Sequence, residues 1–280
     1  MPLNPLLYAA VFSVSFSSVL PHEVSLPRFA HAPPMGAVST GSAAAALRTA
    51  PSGESDFPAP IRTEPGGATA RVGAALDVLG KHVRAQSHPE ALRLAFEAYY
   101  NYQAAHPARV RKPYLYFVDY GLGSNTARGY VFDMKALKLV EGPFTVAHGR
   151  GSASGASGVP TKFSNIKDSA TSSLGLYLAQ ETYAFSGRSG GRRYKSIGLR
   201  LQGLSGRFNS AARTRGIVVH GAPYVTPQRA GRSEGCPAME ESRAQRLIPR
   251  ISNGGMVFLF SPKDPSWVGG DPWFRTAAGR

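Results

Sequence analysis

Two nucleophiles of different kinds lie three residues apart in AGRSEGCPAME, residues 230–240. Gly231, Ser233 and Gly235 fit G-x-S-x-G, the turn that presents a reactive serine in many hydrolases. Cys236 follows directly after Gly235 and is the single cysteine among 280 residues. The serine lacks a partner. In that hydrolase class the order along the chain is serine, acid, histidine, yet no histidine follows Ser233. For serine chemistry the match is therefore accidental.

The cysteine has what the serine lacks. A thiol attacks as thiolate, and its ordinary pKa near 8.5 calls for a nearby base or a positive environment. His220 closes the apolar run GIVVHG and lies 236 − 220 = 16 residues upstream, across a loop containing Pro223, Pro227 and Gly231. A strand, a loop and a turn of that length can bring the two side chains together. Gly221 leaves its carbonyl open to orient the imidazole, and Gly235 permits a tight turn. N–H groups around Gly235 and Cys236 would then face a developing oxyanion. A lone cysteine is usually a buried spectator, but the neighbours RSEG and Pro237 supply none of the apolar residues of a core strand.

The elements that must position these residues are mostly strands. YLYFVDY (114–120), RGYVFDM (128–134), LKLVEGPFTVAHG (137–149), SIGLRLQGL (196–204), RGIVVHG (215–221) and GGMVFLFSP (254–262) are short, β-branched or aromatic, and bounded by turn residues. Helices are expected over part of 169–181 and over Glu240–Ile251. Ahead of the strands, Val72, Leu76, Leu79 and Val83 recur at helical spacing. Ser87 and Glu90 form an S-x-x-E capping box, which predicts a second helix with Leu92, Phe96, Tyr99 and Tyr100 on one face. The expected organisation is a helical segment at 68–106 packed on a mainly β domain at 112–263, then a surface tail at 264–280.

VVHGAPYV…GRSEGCPAM resembles the L,D-transpeptidases, peptidoglycan-modifying cysteine enzymes whose signature is His-Gly followed by Ser-x-Gly-Cys. The resemblance is closer to the branch with Gly-Cys-Pro-Ala than to the branch with Gly-Cys-x-Arg. VAHGRGS (146–152), KFSNIKDSATSSLGLY (162–177), LRLQGL (199–204) and FNSAARTRGIVVHG (208–221) extend it over roughly 90–263. It implies a mainly β, sandwich-like catalytic domain with a short N-terminal helical segment, Cys236 as nucleophile, His220 as base, Ser233 as hydrogen-bonding support and Gly235 as a required turn. The implied reaction is thioester formation at the third residue of a stem peptide with release of D-alanine, followed by cross-linking to an acceptor amine. Hydrolysis of the same thioester, an L,D-carboxypeptidase activity, and a non-catalytic wall-binding role are the alternatives.

Two positions depart from the pattern. Ala238 stands where the main branch has arginine, so Arg232, Arg213 and Arg215 become candidates for its role. Glu234 sits two residues from the thiol, where an inward carboxylate would oppose thiolate formation, and it is expected to point outward. His148, in VAHG, is a candidate to line the cleft beside Gly221, with a structural role capping a strand end as the alternative. A zinc site on His148 and His220 lacks a third ligand and any H-x-H or H-E-x-x-H spacing, so neither metal nor cofactor is expected.

The net charge of +15 and pI near 10.2 favour anionic surroundings. No zinc-finger, RRM or basic-zipper signature accompanies it, which argues against nucleic acid. The densest basic cluster, GRSGGRRYK (187–195), reads as a solvated surface. Residues 1–32 carry an apolar run, Leu6–Leu20, too short to span a bilayer and suited to a signal peptide or an uncleaved membrane tether. Residues 33–67 are Ala, Gly, Ser and Pro-rich, as in a flexible linker. Export to the periplasm or cell envelope is expected, with stem peptides and anionic envelope polymers as partners.

Overall fold

The computed structural model describes residues 65–155 and 158–274. The expected leader or tether at 1–32, and the linker up to residue 64, lie outside them. The described residues belong to one unit, Pro58–Arg280. None of their helices is long and apolar enough to cross a membrane.

Two helices come first, α1 (Pro65–Leu79) and α2 (Ala91–Ala105), followed by strands β1 (Tyr114–Asp119), β2 (Gly129–Asp133), β3 (Lys138–Phe144) and β4 (His148–Gly149). A long hairpin, β5 (Gly175–Ser189) and β6 (Arg192–Gly203), leads to β7 (Val218–Gly221), β8 (Val225–Thr226), β9 (Arg229–Ala230), β10 (Arg232–Ser233) and β11 (Ala238–Met239). Helix α3 (Glu241–Ile251), strand β12 (Met256–Phe260) and helix α4 (Pro265–Gly270) complete the order. Eight strands form one sheet in the order β11-β7-β6-β5-β12-β1-β2-β3, and β10-β4 and β8-β9 make two small pairs.

The mainly β class expected from the strand pattern is what the chain adopts, with one short helical segment ahead of the sheet. Buried strands such as β12, MVFLF, have every residue inside because helices cover them. Helix α3 buries Ala244, Leu247, Ile248 and Ile251, spaced i, i+3, i+4 and i+7, against β6 and β7. Helix α2 packs on β12 and β1, with Phe96 edge-on to Phe132 at 5.6 Å. Truncating Phe96 to alanine would cost roughly 3–5 kcal/mol.

Three expectations give way. The helix expected within 169–181 is instead the start of β5. Its helix formers Ala179, Gln180 and Glu181 sit at a shift in the β5–β6 register between Ala179 and Thr182, where regular pairing is not required. The Ser87 capping box is not formed. Ser87 N–H and Oγ both donate to the Asp119 carboxylate, at 2.7 and 2.5 Å, and α2 begins at Ala91. The stretch read as a surface tail contains α4, whose Trp267 is fully buried against Phe258 and Phe260. A Gly- and Pro-rich segment concealed a cluster of apolar anchors, since Val268, Trp273 and Phe274 pack on the core beside Trp267.

Candidate functional site

Strand β7 ends on His220 and Gly221, and β11 lies parallel beside it with Ala238 opposite His220 and Met239 opposite Gly221. Cys236 stands two residues before Ala238, so its turn arrives next to the strand that carries the histidine.

His220 is 2% exposed. Its Nδ1 lies 2.9 Å from the carbonyl oxygen of Gly221. A carbonyl only accepts, so Nδ1 carries the proton and Nε2 keeps its lone pair, the tautomer a general base needs. The ring of Phe185 stacks on the imidazole at 4.1 Å and 16°. Burial holds His220 well below the ordinary histidine range, at about 4, with the Gly221 carbonyl opposing. At neutral pH it is an uncharged base.

Cys236 is 9% exposed, with Sγ 3.8 Å from the Gly216 oxygen. Burial pushes its thiol up to about 11, against the lowering effects of the Val218 N–H and the Arg215 charge. Thiol and imidazole are thus both neutral at rest, because each buried group disfavours its ionised form.

Ser233 does not touch the thiol. Its Oγ accepts the Gly235 N–H at 3.1 Å and donates to the Cys236 carbonyl at 2.6 Å, stapling the turn from inside. Gly235 has φ of +127°, and an added Cβ would sit 2.8 Å from the Thr171 oxygen and 2.9 Å from Ile217. A side chain is excluded on both counts. Since the Gly235 N–H is spent on Ser233, the Cys236 N–H is the donor left on this turn for an oxyanion. Pro237, next in the chain, has none.

The other expected site residues are placed as follows. Gly221 contributes the carbonyl that fixes His220. Arg232 is exposed on β10, opposite His148 in register. Arg213 is held at the surface by Glu181, at 2.9 Å, and by Gln180. Of the three candidate arginines, Arg215 is the one whose charge lowers the Cys236 thiol. It is half-buried and donates to the Ser164 and Thr171 carbonyls at 2.7 and 2.9 Å, and to the Ser173 and Ser169 hydroxyls. These bonds fasten the 164–173 loop, whose Thr171 backs Gly235. Ala238 cannot be an arginine position here, since it is fully buried among Ala147, Ala222, Val225 and Ala230.

His148 is fully buried and so lines no open cleft. Its Nδ1 takes a hydrogen bond from Arg128 Nη2 at 2.9 Å, and its Nε2 has no hydrogen-bond partner among the described residues. Arg128, itself fully buried, also donates to the Val146 and Leu122 carbonyls and lies over the Tyr120 ring at 4.8 Å. Burial, with the Arg128 and Arg232 charges, lowers His148 to about 3. Glu234 does point outward, 73% exposed, onto Arg150 at 2.8 Å.

Sequence reasoning missed Phe185 and Ser172. Ser172 Oγ donates to the Gly235 carbonyl at 3.0 Å and accepts the Gly149 N–H at 3.0 Å, tying β4 to the cysteine turn. Alternation of Tyr183 and Phe185 with polar residues was the available signal for Phe185. No local signal marks Ser172, one of three consecutive Ser/Thr residues.

A family model for the L,D-transpeptidase catalytic domain matches residues 84–260. The chain belongs to that family. The matched span holds β1 to β12, with His220 and Cys236 within it. Among solved structures, the L,D-transpeptidase from Mycobacterium smegmatis is 13% identical, over 53% of this chain and 59% of that one, with a TM-score of 0.32. An L,D-transpeptidase from Stackebrandtia nassauensis is 14% identical over 69% and 78%, with a TM-score of 0.33. The chain therefore spans about three fifths of the Mycobacterium smegmatis protein. No curated protein matches in sequence.

Proposed function

We propose that this L,D-transpeptidase family member is an exported enzyme that cross-links peptidoglycan through a thioester on Cys236. The observation that carries the reading is the His220 tautomer, held by Gly221 on the strand beside the cysteine turn. The Cys236 sulfur attacks the carbonyl carbon of the third residue of a stem peptide while His220 Nε2 takes the thiol proton. The Cys236 N–H faces the oxyanion. The C–N bond then breaks, His220 returns the proton to the departing amine, and D-alanine leaves. A side-chain amine of a second stem attacks the thioester, forming the new amide and restoring the thiol. The energy of the cleaved peptide bond is kept in the thioester, so the step needs no nucleotide.

Arg215 lowers the thiol's resistance to ionisation and holds the 164–173 wall. Export and the cell envelope follow from the substrate, and the N-terminal segment is assigned the role of leader or tether. Intact mass after incubation with a carbapenem tests the nucleophile: one adduct is expected on the parent and none on Cys236→Ala. Purified muropeptides test the outcome. Cross-linked dimers are expected, and shortened monomers alone would replace the transpeptidase by a carboxypeptidase.

A further inference from the structure

The β5–β6 hairpin runs beyond the sheet. Strand β5 pairs with β12 only over 175–178 and β6 with β7 only over 198–200, while Ala184–Ser189 and Arg192–Ile197 pair solely with each other. The result is a two-stranded arm whose two faces differ in chemistry. Opposed residues share a face, and register puts Tyr183, Phe185 and Tyr194, each half-buried, on one side, with exposed Arg192 as that side's one cation at the tip. That side turns to the site, with Phe185 on His220 and Tyr194 near Tyr224. The other face carries Arg188 directly opposite Arg193, with Lys195 next along β6, all exposed.

Directly opposed like charges destabilise a strand pair. Nothing nearby relieves them. From residue 182 to 233 the chain has ten Lys or Arg and not one Asp or Glu. Among the described residues, Arg188, Arg193 and Lys195 meet no carboxylate, and Glu181 at the root of the arm is taken by Arg213 and Arg200. The arm thus holds its cations apart from any internal partner, about 7 Å between successive ones along β6.

We propose that this outer face of the arm docks carboxylate-bearing peptidoglycan, holding a strand of the polymer beside the cleft that its inner face helps to form. Charge complementarity carries the choice of a polyanion. A nucleic acid is disfavoured because every aromatic ring of the arm lies on the opposite face, leaving no platform on which bases could stack. The inference builds on the wall-directed function above, but its test reads binding rather than turnover.

The experiment is cosedimentation of the full chain with purified peptidoglycan sacculi, stripped of attached protein and polymer, at low and at physiological salt. The triple variant Arg188→Gln, Arg193→Gln, Lys195→Gln should bind about tenfold more weakly at low salt and lose most of its salt dependence. Arg188→Lys with Arg193→Lys should bind like the parent, since charge and not shape is at stake. Sacculi with their carboxylates amidated should hold the parent no better than the triple variant. Carbapenem acylation of Cys236 should be unchanged in the triple variant, which also shows that it is folded. Equal sedimentation of parent and triple variant, undiminished binding to amidated sacculi, or tighter binding to a single-stranded oligonucleotide would each overturn the proposal. If the parent does not acylate but the salt-dependent binding persists, the enzyme reading fails and the docking face stands.

Discussion

The chain contains two histidines in nearly the same local setting, VVHG at 218–221 and VAHG at 146–149, and the fold gives them opposite chemistry. Each is buried at a strand end. His220 has its Nδ1 against an acceptor, the Gly221 carbonyl, so its free nitrogen is basic. His148 has its Nδ1 against a donor, Arg128, so its free nitrogen bears the proton. What makes a histidine a base is therefore the group on its other nitrogen, and His-Gly alone does not specify that.

Substitution at the site should break this comparison most visibly. In carbapenem acylation Cys236→Ala should be inert, and His220→Gln should react about 10³-fold more slowly. His148→Gln, wherever it folds, should keep the parent's dependence of rate on pH. If the losses fell on His148 instead, the tautomer argument would be wrong. For the parent, the rate should fall as pH drops toward about 4, where His220 gains its proton.

Stability against pH examines what the two histidines share. Both are depressed in the fold, to about 4 and about 3, so between those values and the unfolded value of about 6.5 the unfolded chain binds more protons. Their contribution is full above pH 6.5 and is lost as pH falls through the window, by up to about 1.4 kcal/mol per pH unit for each histidine. Urea unfolding at pH 7 and pH 5 should show the loss, and His220→Gln should shrink it. An unchanged slope would mean that His220 titrates normally.

Around the cysteine turn the expected effects are smaller. Gly235→Ala should cost about 1–3 kcal/mol in thermal unfolding, through its φ and the Thr171 contact, and should slow acylation. Arg215→Gln should shift the alkylation profile of the thiol to higher pH and slow reaction at neutral pH about tenfold. Arg213→Gln, which breaks an exposed pair with Glu181, should stay within about 0.5 kcal/mol of the parent. The contrast between Arg215 and Arg213 sharpens the assignment of the cation: equal effects on the thiol would dissolve it.

Much of this was legible in the chain. The strand segments from Tyr114 to Phe260, the helix before Met256 and the outward Glu234 follow from alternation, apolar spacing and charge. β5 was hidden because Ala179, Gln180 and Glu181 favour helix, and only pairing with β12 and β6 overrides that preference. Ser87 satisfied a local capping pattern, yet Asp119, 32 residues away, offered it two stronger bonds. Trp267, Val268, Trp273 and Phe274 are scattered among Gly, Pro and Asp with no helical or strand period, and nothing local says that Trp267 finds Phe258 and Phe260.

The sequence by itself singled out the candidate nucleophile, the candidate base and the glycine at 235, because residue type and order limit which groups can react. The tertiary structure alone decided which arginine's charge bears on the thiol, which histidine has an acceptor on its Nδ1, and which face of the hairpin turns to His220. Those are questions of distance and burial between residues far apart in the chain. The electrostatics that answer them exist only once the strands have paired.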